Sequence, residues 1–251
     1  MSEMKAIILA AGVGSRIRPM TDDCPKTLLK IGEVTILERM LTNIQACGIN
    51  DVIFVLGYLQ EKIEAFVKDT FPNLKTHFIV NDRYAETNTG YSLMLAEELV
   101  MGSSFVKFDA DVVFDRKILE KLLACDDQNY LCIDKNIQLD AEEIKVVVDR
   151  NDRIIKASKT VRPNDAMGES IGIEKISSDT AGLLFAELRA MMGQAENHQE
   201  YYEGAYERLI KKNVPFYTLD ITGLNWAEID TKNDFDAACS IFVPALAGAE
   251  L

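Results

Sequence analysis

Apolar positions along the chain switch repeatedly between two periods. Residues 5–11 and 51–57 hold unbroken apolar runs, Ala6-Ile7-Ile8-Leu9-Ala10-Ala11 and Val52-Ile53-Phe54-Val55-Leu56, the pattern of strands covered on both faces. Between and after them, residues 36–46 and 61–68 space their apolar side chains at helical intervals, and residues 76–80 form a third strand-like run. The same reading predicts a helix over 91–100, a strand over 104–108, a helix over 116–124 and a strand over 130–133. Strand alternating with helix predicts an α/β fold built on a parallel sheet with helices on both faces.

The rhythm changes after Asp134. Residues 143–149, 153–157 and 170–176 read as strands joined by short polar turns such as Asp149-Arg150-Asn151-Asp152, predicting a small antiparallel flap. Helices over 179–192 and 200–211, a strand over 216–220 and a last helix near 233–242 complete the pattern, and residues 244–251 are small and polar enough to fray. No internal repeat or low-complexity linker interrupts it. One domain over 1–251 is therefore expected, with a division near residue 135 marking only the edge of a subdomain.

Composition narrows the chemistry. The 251 residues carry a formal charge of −13, which gives no global reason to expect nucleic-acid or anionic-membrane binding. No apolar stretch is long enough to span a bilayer, and the start does not read as a signal peptide, so a cytoplasmic location is expected. The five cysteines, Cys24, Cys47, Cys125, Cys132 and Cys239, contain no C-x-x-C pair, and the histidines are only His77 and His198. A disulfide framework, a structural zinc site or a histidine triad has few builders here. Catalysis must rest on carboxylates, lysines and arginines. Monomer and homo-oligomer both stay open.

The segment richest in chemistry is Leu9-Ala10-Ala11-Gly12-Val13-Gly14-Ser15-Arg16, followed by Pro25-Lys26. It is a glycine loop after the first strand. Gly12 and Gly14 can let backbone N–H groups approach a phosphate, while Ala10 and Ala11 leave room for a flat base. A dinucleotide G-x-G-x-x-G would need glycine where Ile17 stands, and a P-loop would need Gly-Lys-Ser/Thr, which is absent. Arg16 can offer a fork of donors to β and γ phosphates, and Lys26 adds a second cation. A second group, Phe108-Asp109-Ala110-Asp111, stands at a predicted strand end, where α/β sheets bind ligands. If that strand continues, Asp109 and Asp111 share a side and either can hold a hard cation. In the third, Trp226-Ala227-Glu228-Ile229-Asp230-Thr231, Asp230 or Thr231 can cap the final helix.

The glycine loop with Pro25-Lys26 resembles the signature of the nucleotidyltransferase family that makes nucleoside-diphosphate sugars, CDP-choline and related activated metabolites. The resemblance implies a Rossmann-like mixed, mostly parallel sheet, a nucleoside triphosphate donor, a phosphate-bearing acceptor and release of pyrophosphate. It further implies magnesium held by Asp111 and Asp230, with Lys26 and Arg16 as the catalytic cations and residues 1–134 as the nucleotide-binding part. Residues 81–95, with Asn81-Asp82-Arg83-Tyr84 and Asn88-Thr89-Gly90-Tyr91-Ser92-Leu93, resemble the phosphocholine cytidylyltransferase branch, which favours CTP and a small acceptor. Asn88, Thr89 and Ser92 at a helix N-terminus can read base or phosphate, and Asp109 joins this nucleotide set.

The region over 140–173 resembles cytidylyltransferases acting on aminoethylphosphonate or inositol phosphate, which would set Lys159 against an acceptor phosphate and Glu169 against a cationic or hydroxylated group. A choline headgroup would call for an aromatic cage, with Tyr91, Tyr201, Tyr202, Tyr206 and Trp226 as candidates. A primary amine would instead favour Glu169 or Glu203. The expected activity is therefore transfer of CMP from CTP to a small phosphate or phosphonate. A sugar-1-phosphate nucleotidyltransferase using UTP, CTP or dTTP and a non-catalytic nucleotide sensor are the alternatives.

Overall fold

A computed structural model describes residues 4–136, 139 and 143–243. The expected fray over 244–251 and the flap's first residues, 140–142, lie outside them. In chain order the elements are β1 (Lys5–Ala10), β2 (Lys30–Ile31), β3 (Val34–Thr35), α1 (Ile36–Ala46), β4 (Asp51–Leu56), α2 (Gln60–Thr70), β5 (Lys75–Val80), α3 (Thr89–Leu95), α4 (Glu97–Val100) and β6 (Phe105–Asp109). They continue with β7 (Val112–Phe114), α5 (Arg116–Ala124), β8 (Asn129–Asp134), β9 (Lys145–Val148), β10 (Ile154–Ser158), β11 (Gly168–Ile176), α6 (Ser178–Met192), α7 (Glu203–Lys211), β12 (Phe216–Asp220), β13 (Trp226–Glu228) and α8 (Lys232–Phe242).

The main sheet has nine strands. Strands β6, β1, β4 and β5 run parallel side by side, and β11 joins β6 antiparallel. Strands β8 and β9 then pair antiparallel with β11, β10 pairs antiparallel with β9, and β12 lies parallel to β8. This is the mixed, mostly parallel sheet with an antiparallel flap that the sequence predicts.

The unbroken apolar runs are explained by what covers them. Along β1 and β4, Ala6, Ile8, Val52, Phe54 and Leu56 pack on one face with α1, α2 and α5. Ile7, Leu9, Ile53 and Val55 pack on the other with α3, α6 and α7. Each fully buried Leu, Ile or Phe contributes about 1.5–3 kcal/mol, so a polar residue on either face of β4 would be costly. Thr35 starts α1 by accepting the Glu38 N–H at 3.0 Å, and Ser177 does the same for α6 by accepting from Thr180, caps worth about 1 kcal/mol each.

Two expectations are corrected. The helix over 91–100 breaks at Ala96 into α3 and α4. The strand through Asp109 does not continue to Asp111: β6 ends at Asp109, and the chain turns before β7 pairs with β13. The two aspartates therefore serve different surroundings. Among the described residues no helix is long and apolar enough to cross a membrane.

Candidate active site

The C-terminal ends of β1 and β6 open into a cavity of about 1050 Å³. Leu9, Ala10, Ala11, Gly12, Gly14, Ser15, Arg16 and Lys26 line one part of it. Gly14 takes φ +64°, the left-handed region glycine tolerates, and its carbonyl accepts the Thr21 hydroxyl at 2.7 Å. Ile17, where a dinucleotide motif would need glycine, is buried in a third apolar cluster with Leu29, Ile36, Val113, Ile229 and Ala238. That anchor holds the loop against α8 while Arg16 points outward.

Opposite the loop stand three carboxylates. Strand β13 pairs with β7 so that Glu228 lies across from Val112, and the Ile229 N–H donates to the Asp111 carbonyl at 3.1 Å. This pairing joins residues from opposite halves of the chain. One oxygen each of Asp111, Glu228 and Asp230 lies within 4.8 Å of the others. Thr231, not Asp230, caps α8, in a box where the Asp234 carboxylate accepts the Thr231 N–H at 2.7 Å. The Asp230 carboxylate is thus released to the cavity.

Lys26 bridges the two sides. Its Nζ donates to Asp111 Oδ2 at 2.6 Å and to Asp230 Oδ1 at 2.9 Å, and Arg16 donates to Asp230 Oδ2 at 2.6 Å. Burial alone would lower the Lys26 pKa, but Asp111 and Asp230 outweigh it and raise the group above its ordinary value. Burial, with repulsion from Asp111 and Asp230, pushes the Glu228 carboxyl up to about 9. Asp111 Oδ1 is buried and accepts no hydrogen bond. An orphaned carboxylate oxygen beside two more hard oxygen donors fits a divalent cation such as magnesium. Sequence reasoning missed Glu228. Residues two apart on a strand share a face, but β13 ends at Glu228, so no strand periodicity in the sequence ties Glu228 to Asp230.

Asn88 and Thr89 also line the cavity. Asn88 caps α3, its side-chain oxygen accepting the Thr89 N–H at 2.8 Å. Ser92 lines the cavity but is only 4% exposed, and its hydroxyl accepts from Asn81 Nδ2 at 3.1 Å. Asn81 also donates to Thr87 and accepts from the Arg83 N–H. The Asn81-to-Ser92 pattern therefore orders a turn beneath the site.

Tyr91, expected at the acceptor, is not on the cavity wall. Its ring meets His198 at 5.7 Å between centroids and carries the Arg83 guanidinium at 5.4 Å. At helical spacing it stands on a different face of α3 from the cavity-lining Ser92.

Lys159, Glu169, Tyr202 and Trp226 do line the cavity. Trp226 Nε1 donates to Asp134 Oδ2 at 2.8 Å, and Lys159 Nζ lies 4.8 Å from the Tyr201 ring centre. Tyr202 is 2% exposed and belongs to a buried ionic group that the sequence did not reveal. Lys107, fully buried on β6, pairs with Asp109 at 2.9 Å and with Glu174 at 2.7 Å, and also meets the Tyr202 hydroxyl. Tyr202 in turn donates to Asp109 Oδ2 at 2.7 Å. Asp109 thus spends its hydrogen bonds on this group, with part of its side chain open to the cavity.

Burial pushes the Glu174 carboxyl up to about 8, and it also raises Asp109, in both cases against the pull of Lys107. Gly172 makes room for the cluster. At φ +74°, an added Cβ would stand 2.5 Å from Asp109 Oδ2.

The chain is similar to several known proteins. The choline-phosphate cytidylyltransferase of Streptococcus pneumoniae is 40% identical over 108 residues, a stretch covering 43% of this chain and 44% of that protein, so the match spans less than half of its length. The CTP:phosphoglutamine cytidylyltransferase of Campylobacter jejuni is 28% identical over 93% of this chain and 98% of its own. A solved structure of the CTP:phosphocholine cytidylyltransferase of Streptococcus pneumoniae superposes with a TM-score of 0.78, at 23% identity, over 95% of this chain and 99% of that one, a likeness of fold. Residues 6–151 match the MobA-like NTP transferase domain, more than half of the chain and the part that carries the glycine loop, Lys26 and Asp111, and the chain belongs to that family.

Proposed function

We propose that this protein transfers CMP from CTP to a small phosphate- or phosphonate-bearing acceptor and releases pyrophosphate. The observation that carries the reading is the bridge made by Lys26, which ties the glycine loop to the carboxylates of Asp111 and Asp230 across one cavity. Family membership supports the nucleotide donor. The names of the relatives, a choline-phosphate and a phosphoglutamine cytidylyltransferase, support CTP and a small acceptor.

In the proposed reaction an acceptor phosphate oxygen attacks the α-phosphorus in line, forming the new P–O bond as the bond to the β-phosphate oxygen breaks and pyrophosphate departs with the electron pair. The acceptor needs no general base, because a phosphate dianion is already nucleophilic at neutral pH. The chain must mainly position two anions and offset their repulsion. Gly12 and Gly14 open the backbone N–H groups to the phosphates. Arg16 and Lys26 exchange their carboxylate partners for phosphate oxygens, Arg16 toward the leaving group and Lys26 toward the α-phosphate. Asp111, Glu228 and Asp230 would hold magnesium, which supplies positive charge to the reacting phosphates.

The test is pyrophosphate release in magnesium, crossing CTP, UTP, ATP, GTP and dTTP against phosphocholine, 2-aminoethylphosphonate, inositol phosphate and hexose-1-phosphates. Release with CTP and a small non-sugar acceptor is expected. Preference for a hexose phosphate would replace this reading with the sugar branch. Nucleotide binding without release across the matrix would replace it with a sensor.

A further inference from the structure

Resting on that nucleotidyl transfer, we propose that the acceptor carries a protonated primary or secondary amine, and that Glu203 receives one of its N–H groups. Glu203 opens α7 and lines the cavity, yet it is only 9% exposed. Its Oε2 is buried and has no hydrogen-bond partner. A buried carboxylate oxygen left without a donor is costly, and a ligand N–H recovers that cost on binding. The surroundings add to the pull. Asp109, Glu174 and Glu203 set three carboxyl groups around the ammonium of Lys107. Burial, opposed by Lys107, pushes the Glu203 carboxyl up to about 7, and a docked ammonium favours its charged form.

The aromatic side chains disfavour a quaternary ammonium. Such a group has no N–H and is held by open ring faces. Lys107 Nζ already sits 3.7 Å from the Tyr202 ring centre, and Lys159 Nζ sits 4.8 Å from that of Tyr201. Tyr206 is fully buried against Tyr202 and Phe216, and Tyr91 is not on the cavity wall. Tyr84 also lines the cavity, with its ring 6.4 Å from that of Tyr58, so among the described aromatic residues on the wall Trp226 alone has no other ring or cation against it. One ring does not enclose a trimethylammonium group. Two lysines of the chain already lie against the Tyr202 and Tyr201 rings, whereas the orphaned oxygen of Glu203 calls for a donor that the headgroup lacks.

Two acceptor series decide it: O-phosphoethanolamine with its N-methyl, N,N-dimethyl and N,N,N-trimethyl forms, and the same series on 2-aminoethylphosphonate. Only the number of N–H donors and methyl groups changes within each. With CTP and magnesium, kcat/KM for pyrophosphate release should fall along the series and drop at least tenfold when the last N–H is lost. A trimethyl form as good as its unmethylated parent overturns the assignment. Should no member release pyrophosphate, nucleotidyl transfer to such acceptors fails. Calorimetric titration of the same series into the protein then decides the amine inference: the same order sustains it, and no binding or no order overturns it.

In the isosteric variant Glu203→Gln, the KM for O-phosphoethanolamine should rise at least tenfold with that for CTP unchanged, and the series should level. A folded variant with an unaltered series overturns the role of Glu203. If the variant does not fold, the wild-type series still decides the amine requirement.

Discussion

At position 12 an added methyl group meets nothing within 4 Å, whereas at position 14 it meets Thr21 Cγ2 at 3.2 Å and Lys26 Cβ at 3.3 Å from a left-handed backbone. Two glycines of one motif thus do different things. Gly14 is demanded by the fold, and Gly12 leaves open space beside the loop where the phosphates are proposed to approach. Gly12→Ala should leave the melting temperature within about 2 °C of the parent, as expected for a substitution that disturbs no packing, while raising the KM for nucleotide at least tenfold. A loss of stability with unchanged KM would reverse that assignment.

The residues of the loop were legible in the sequence because glycine, arginine and lysine types carry their chemistry with them. Glu228 was not. Its meaning depends on β7 and β13, strands of three residues each that show too little periodicity to read.

Strands β6 and β11 and helix α7 meet around Lys107, a charged residue with 0% exposure in the middle of a sheet. Alternation along 104–108 reads as an ordinary strand, and nothing local announces that Lys107 will find Asp109 and Glu174. These partners belong to tertiary structure, and β11 reaches them through an irregular register around Gly172.

The arrangement has a pH signature. Glu174 is pushed up to about 8 from an ordinary value of 4.5. The folded state therefore holds a proton that the unfolded chain has released, and Glu174's contribution to stability declines as pH rises through the window between those values. The slope is at most about 1.4 kcal/mol per pH unit. Denaturant unfolding at a series of pH values across that window should show this decline in the parent and a flatter profile in Glu174→Gln. Parallel profiles would place the titration elsewhere.

On the scale of the whole molecule, an acidic chain of net charge −13 is proposed to bind two anions. Arg16 and Lys26 from the first strand's loop meet Asp230 from just before the last helix, so a ligand in this cavity braces both ends of the described chain. CTP with magnesium at about a hundredfold excess over Kd should add about 2.7 kcal/mol of stability. For a chain this size that is about 5–10 °C in melting temperature. GTP and ATP should give smaller shifts at the same concentration. Equal shifts from all nucleotides would mean that the site does not read the base.

The sequence by itself determined the alternation of strand and helix, the antiparallel flap and the glycine loop. All of these follow from local periodicity or from residue types whose chemistry travels with them. Tertiary structure alone decided that Asp109 and Asp111 part company, that Glu228 completes the carboxylate cluster, that Tyr91 is not on the cavity wall and that Lys107 is buried among acids. Each of these depends on which distant segment arrives alongside, and pairing between β7 and β13, or between β6 and β11, is set by the packing of the whole sheet and leaves no mark in any short window of sequence.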